Sequence, residues 1–183
     1  DPNNPGKSKA EDRGSRTFTS TFEPGSTAKL ITTSALVETG KATPDSQYVV
    51  PDKWKAPDGE EFRDSHNHDD QNLTLTGILV DSSNTGTLIA AEEMSNQERY
   101  EWLKKFGFGT PPDLEFPGTS RGILRHPDAW DARTRHTVMF GQGVAATALQ
   151  TTQAFAIIAN DGTAIPQRIV NGTVDPTGKV TEI

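Results

Sequence analysis

The chain has 183 residues, with 18 Lys and Arg against 25 Asp and Glu for a net charge of −7, and it contains no cysteine. Absence of cysteine excludes disulfides, thiolate metal sites and a cysteine nucleophile, and the acidic balance without a basic stripe argues against nucleic acid or an anionic membrane surface as the main partner. The length suffices for one domain or part of a larger one; Leu, Ile, Val and Phe supply only about 20% of it, which fits a helical lobe that borrows core from a partner segment.

No apolar run approaches the length of a membrane span, and Asp1 begins no signal peptide. The polar start DPNNPGKSKAEDRG, without an initiator Met, is that expected of a piece of a longer chain.

In chain order, residues 1–21 are rich in Pro, Gly, Asn and charge and read as loop. A helix is predicted over 26–38, with Leu30, Ile31, Ala35, Leu36 and Val37 apolar and Gly40 as its stop. Residues 41–72 read as mostly irregular, with a short strand at 48–50. LTLTGILVD (73–81) and TGTLIAAEEM (85–94) read as short helices separated at Ser82-Ser83-Asn84. Ser95 and Glu98 have capping-box spacing for a helix through Lys105 that carries Trp102, Leu103 and Phe106 and ends at Gly107. Residues 107–136 are Gly/Pro-rich connection. TALQTTQAFAIIAND (147–161) is the strongest helix, capped by Thr147 and ended by Gly162. QRIVNGTV (167–174) is strand-like, DPTG (175–178) is a turn, and KVTEI begins a second strand. Helices followed by the start of a hairpin make the fold class α+β.

Two short motifs could carry chemistry. In FEPGSTAK (22–29), Ser26 and Lys29 stand three apart at a helix start, so the lysine Nζ can reach the serine hydroxyl. The unpaired N–H groups and positive dipole end there favour a developing alkoxide. Lysine serves as its base only if burial or nearby positive charge depresses its pKa. With 11 Ser and 9 Lys in the chain the spacing arises by chance about half the time, and alone it reads as a capping Ser beside a surface Lys. Ser82-Ser83-Asn84 alone reads as a polar turn between helices.

Three other patterns imitate known sites. Gly141 to Ala146 matches G-x-G-x-x-A with Asp161 20 residues on, but Asp161 lies at a helix end before any strand, so the segment reads as a turn and not as a nucleotide site. Asp64, His66, His68, Asp69 and Asp70 have a metal-like look and read as an exposed polar loop. His126-Pro127-Asp128 reads as a turn. There is no G-x-S-x-G, so an α/β-hydrolase is unsupported.

Taken together and in order, FEPGSTAK, DSSNTG and FGQGVAATALQTTQAFAIIANDG resemble the transpeptidase domain of class B penicillin-binding proteins, and among these the septal, cell-division type of actinobacteria. The resemblance covers residues 1–166 and includes the contexts Glu23-Pro24-Gly25, Gly141-Gln142-Gly143, Leu149-Gln150 and Ala159-Asn160-Asp161-Gly162. It implies the penicillin-binding protein/serine β-lactamase-like fold, with 1–183 a partial transpeptidase domain, 1–21 an N-terminal loop segment and 167–183 the start of a sheet hairpin.

The resemblance further implies that Ser26 is the acylated nucleophile and Lys29 its general base. Ser82 would shuttle protons to the leaving amine, Asn84 would bind the donor's backbone amide, and the Ser26 N–H would be one of two oxyanion donors. K-T-G is absent; Thr177-Gly178-Lys179 holds those residues in another order and is assigned no role. The missing motif is expected on a strand beyond Ile183, and the segment alone is expected to be inactive. The implied activity is peptidoglycan D,D-transpeptidation through a serine acyl-enzyme, with no cofactor or metal. Its partners would be stem peptides, β-lactams, and cell-division or glycosyltransferase proteins. The full protein would hold an N-terminal anchor and work on the outer face of the bacterial cell membrane. A β-lactamase or D,D-carboxypeptidase of the same superfamily, or a non-catalytic β-lactam sensor or division scaffold, is the alternative.

Overall fold

The computed structural model describes residues 3–114 and 116–182. The predicted loop at 1–21 is corrected there: it holds 3-10 turns at Pro5–Lys7 and Ala10–Asp12, then a short helix α1 (Arg16–Thr19), and strand β1 (Thr21–Phe22) begins at its end. The first predicted helix divides into a 3-10 turn at Gly25–Ala28 and α2 (Lys29–Glu38), whose Ile31, Ala35 and Leu36 are buried.

Residues 41–72, expected to be mostly irregular, form two antiparallel ribbons. Strand β2 (Gln47–Val50) pairs with β5 (Gln71–Thr74), and between them β3 (Lys53–Lys55) pairs with β4 (Glu61–Arg63). The inner hairpin buries Phe62 on one face and leaves Lys53, Lys55, Glu61 and Arg63 exposed on the other, the alternation of a ribbon with one covered side. Its Pro57-Asp58-Gly59 turn gave a local signal.

Local capping sets the remaining helices. Thr74 Oγ1 accepts the Gly77 N–H at the head of α3 (Leu75–Val80), and Ser83 Oγ accepts the Gly86 N–H at the head of α4 (Asn84–Ala90). The full capping box expected for Ser95 and Glu98 opens α5 (Asn96–Lys105). After a 3-10 turn at Pro127–Ala129 and α6 (Thr134–Thr137), strand β6 (Ala146–Thr147) pairs with β1, and a second capping box, Thr147 with Gln150, opens α7 (Ala148–Ala159). Of the strand-like run 167–174 only β7 (Gly172–Val174) pairs, with β8 (Val180–Glu182), around the predicted turn.

The core is one cluster around α2. Ile31, Leu36, Ile78, Leu88, Phe108 and Val138 are all but inaccessible, and burying each is worth about 1.5–3 kcal/mol. Every sheet among the described residues is two-stranded, so helices dominate and the α+β class stands. No helix of the described residues is long and apolar enough to cross a membrane.

Candidate active site

Ser26 stands in the 3-10 turn that leads into α2, with its side chain exposed. The turn is shaped from both sides. Pro24 presets the backbone before it, Thr27 Oγ1 donates to Pro24 O at 2.8 Å, and Gly25 has φ +57°, a conformation that an L side chain rarely adopts. The Gly25 N–H donates to Gly141 O at 3.0 Å, and a Cβ on Gly141 would lie 2.2 Å from Gly25 O. Glu23 accepts the Gly143 N–H at 2.8 Å. The segment that imitates a dinucleotide fingerprint therefore packs on the serine's turn, and the Gly143 N–H that a phosphate would need is taken by Glu23.

Lys29 is the first residue of α2 and is 1% exposed. Its ammonium donates to Ser82 Oγ at 3.1 Å and to the Ser82 carbonyl. Burial lowers its pKa from 10.5 to about 8, with the negative charge of Asp64 acting in the opposite direction. The spacing argument placed Lys29 against Ser26; here both hydrogen bonds go to Ser82, and none joins the Ser26 hydroxyl to Lys29 among the described residues. A buried ammonium needs acceptors, and the turn between α3 and α4 supplies two, whereas Ser26 lies out at the surface.

That turn is unusual. Ser82 has φ +55°, one of two non-glycine residues in the left-handed region among those described. Its N–H bonds to Leu79 O at 3.2 Å and the next, of Ser83, to Ile78 O at 3.1 Å. Asn84 is half-buried and its amide donates to Arg63 O at 3.3 Å, on β4. The structure thus joins Lys29 directly to Ser82, leaves Ser26 one turn before Lys29 with a free hydroxyl among the described residues, and ties Asn84 to the inner ribbon.

Asp64 was missed. Read as part of an exposed loop, it is in fact 5% exposed and sits under α4, while His66, Asp69 and Asp70 are exposed. Its partners at the head of α4 are 19 to 21 residues away in sequence, and its one local partner, His68 four residues on, did not announce them. No group of three or more His, Asp or Glu among the described residues is arranged to hold a metal ion. His126-Pro127-Asp128 forms a turn, with Trp130 Nε1 donating to Arg125 O at 3.0 Å. Thr177-Gly178-Lys179 is organised by Asp175, whose Oδ1 accepts the N–H groups of Thr177 and Lys179 at 2.8 and 3.0 Å, far from any of these groups in sequence.

Arranged in this way, the groups can supply an exposed hydroxyl, a buried amine able to lose its proton near neutral pH, and a second hydroxyl on that amine. The model of the penicillin binding protein transpeptidase domain matches residues 1–183. The chain is 38% identical over 169 residues to penicillin-binding protein PbpB of Mycolicibacterium smegmatis, covering 92% of this chain and 26% of that protein. It is 36% identical over 151 residues to the probable peptidoglycan D,D-transpeptidase PbpC of Pseudomonas aeruginosa, covering 82% of this chain and 26% of that one. The crystal structure of penicillin-binding protein 3 from Mycobacterium tuberculosis superposes with a TM-score of 0.88 at 35% identity, over 100% of this chain and 40% of that one, and it is also solved with aztreonam and with ampicillin. The chain spans about a quarter of the length of the curated relatives it matches. On sequence and fold alike, this chain belongs to the penicillin-binding protein transpeptidase domain family.

Proposed function

We propose that the chain carries the nucleophile, base and proton relay of a peptidoglycan D,D-transpeptidase. Ser26 Oγ attacks the carbonyl of the penultimate D-alanine of a stem peptide while its proton passes to Lys29 Nζ. The C–N bond then breaks, and the terminal D-alanine leaves with a proton relayed through Ser82 Oγ. An amine of a neighbouring stem attacks the resulting ester, an amide forms, and Ser26 Oγ takes back a proton. Asn84 holds the donor's backbone amide, and the Ser26 N–H is one oxyanion donor. The second donor and the groups that bind the substrate carboxylate belong on a K-T-G strand, which these 183 residues do not contain.

The observation that carries this reading is the Lys29–Ser82 contact: an amine with its pKa brought to about 8 by burial, touching a hydroxyl and one turn from an exposed serine. The printed name of the Pseudomonas relative supports the reaction, and the aztreonam and ampicillin complexes of the mycobacterial protein support β-lactams as ligands. Residues 1–183 form part of a transpeptidase domain, with 1–21 leading in and 167–183 starting a sheet hairpin. The full-length protein is membrane-anchored through an N-terminal helix, faces outward, and works with division and glycosyltransferase partners; the greater length of the relatives supports room for these parts.

In the full-length protein, Ser26→Ala is expected to abolish labelling by a fluorescent penicillin, while Ser20→Ala and Ser34→Ala keep it. Labelling that survives Ser26→Ala removes the nucleophile assignment. Turnover of a thioester stem-peptide mimic marks a transpeptidase; a sensor acylates once and stops, and a β-lactamase hydrolyses the drug.

A further inference from the structure

The Asp64 carboxylate is the most heavily used buried acidic group near this site. It stands just after β4 and reaches across to the start of α4. Oδ1 accepts the N–H groups of Asn84 and of Thr85, the latter at 3.0 Å. Oδ2 accepts from Ser83 Oγ at 2.7 Å and from Thr85 Oγ1 at 3.3 Å, and lies 3.1 Å from His68 Nε2. Burial works to raise the carboxyl's pKa, but these donors together hold it below the ordinary range, so it stays charged.

Ser83 caps α4 at the Gly86 N–H at 2.8 Å, and Asp64 takes the two N–H groups before it, of Asn84 and Thr85. What Asp64 adds is a tether from another element, gripping three consecutive residues beginning immediately after Ser82. Ser82 itself has φ +55°, a conformation that persists only where surroundings impose it. We propose that Asp64 is a positioning residue for acyl transfer: it fixes the 82–84 turn against β4, so that the Ser82 hydroxyl meets Lys29 and the Asn84 amide faces the donor peptide. This rests on the roles given to Ser82 and Asn84 above. Asp64 touches neither substrate nor Ser26; it acts through the turn and through its charge, which favours the protonated form of Lys29. The carboxylate is itself faced by His68, whose ring is held by the Asp69 carbonyl at 2.8 Å and feels the charge of Asp52.

The test compares Asp64→Asn, Asp64→Ala and a distant core variant, Ile157→Ala, in the full-length protein. Three readouts are used: NMR titration of the Lys29 side chain, amide exchange at Asn84 and Thr85, and penicillin labelling against pH. Asp64→Asn keeps a carbonyl oxygen for the two N–H groups and removes the charge, so Lys29 is expected to titrate lower than in the parent, moving the acid limb of the labelling profile to lower pH. If the Asp64 charge did not act on Lys29, Asp64→Asn would leave the Lys29 titration where it is in the parent. Asp64→Ala is expected to speed exchange at Asn84 and Thr85 and to slow labelling about 100-fold, the scale of a misplacement near 1 Å. Ile157→Ala, even with an equal loss of thermal stability, is expected to label at the parent rate. An unchanged Lys29 titration in Asp64→Asn, or labelling of Asp64→Ala at the rate of Ile157→Ala, overturns the proposal. Persistent labelling of Ser26→Ala would instead overturn the reading it rests on, since titration and exchange report the placement of Asp64 without any substrate.

Discussion

The two turns that meet at this site are held by opposite means. The 24–26 turn is held by shape: backbone meets backbone where Gly25 lies on Gly141, and Glu23 ties the same segment at Gly143. The 82–84 turn is held by charge, with the buried Asp64 carboxylate on one side and the Lys29 ammonium on the other. A shape-held turn tolerates changes of charge and fails when an atom is added. A charge-held turn tolerates small changes of volume and fails when a charged group is removed. Ser26 thus owes its place to sterics, and Ser82 owes its place to electrostatics.

The largest effect is expected where shape is violated. Gly141→Ala puts a methyl group into the Gly25 carbonyl at a residue with φ +80°, and should cost about 4 kcal/mol or more, with penicillin labelling lost in step. Denaturant unfolding measures it, and a loss under about 1 kcal/mol would mean that the shape-held turn can give way.

Lys29→Met tests the other side. A lysine pKa lowered from 10.5 to about 8 means the unfolded chain holds that proton more tightly, so stability is at its lowest below pH 8 and rises as pH climbs to 10.5. Replacement by Met should remove this rise between pH 8 and 10.5, abolish labelling, and cost about 1–3 kcal/mol at pH 7, because the Ser82 carbonyl and hydroxyl lose their donor. A variant that lost labelling but kept its full stability at pH 7 would show that the ammonium does not hold the turn in place.

Ser82→Ala keeps the volume but takes one acceptor from the buried ammonium. It should cost about 2 kcal/mol and slow acylation, read from labelling time courses at fixed pH. Equal rates in parent and variant would leave Ser82 as a turn residue alone. The smallest effect is expected on the β7–β8 hairpin, where Val174 and Val180 are 67% and 63% exposed: Val174→Ser should change the stability of the chain by less than about 0.5 kcal/mol. A larger loss would mean that this hairpin shares the cooperative core.

What could be read from sequence follows the range of each interaction. The Ser95–Glu98 and Thr147–Gln150 capping boxes close within three residues, so residue order alone displays them. The β2–β5 ribbon joins segments more than 20 residues apart through strands of four residues, too short for periodicity to separate from loop. Lys29 and Ser82 are 53 residues apart, and only the family resemblance put them together; Asp64, in none of the recognised motifs, was left with the loop around it. The 26–38 helix was placed correctly, but its first turn winds tighter than an α-helix, and the buried Lys29 ammonium gives its hydrogen bonds to two acceptors on Ser82.

Gln150 joins parts of the chain that no strand or helix connects. Its side chain is 3% exposed, takes the Thr147 N–H at its oxygen, and gives its NH2 group to the carbonyls of Gly107, Thr110 and Arg121 at 3.0, 2.9 and 2.9 Å. One amide thereby closes loops of 43, 40 and 29 residues at once. In a chain without cysteine this is a cross-link made of hydrogen bonds: it restrains the long Gly/Pro-rich connection as a disulfide would, but its strength depends on keeping water out, and no oxidising or reducing agent can set it or undo it.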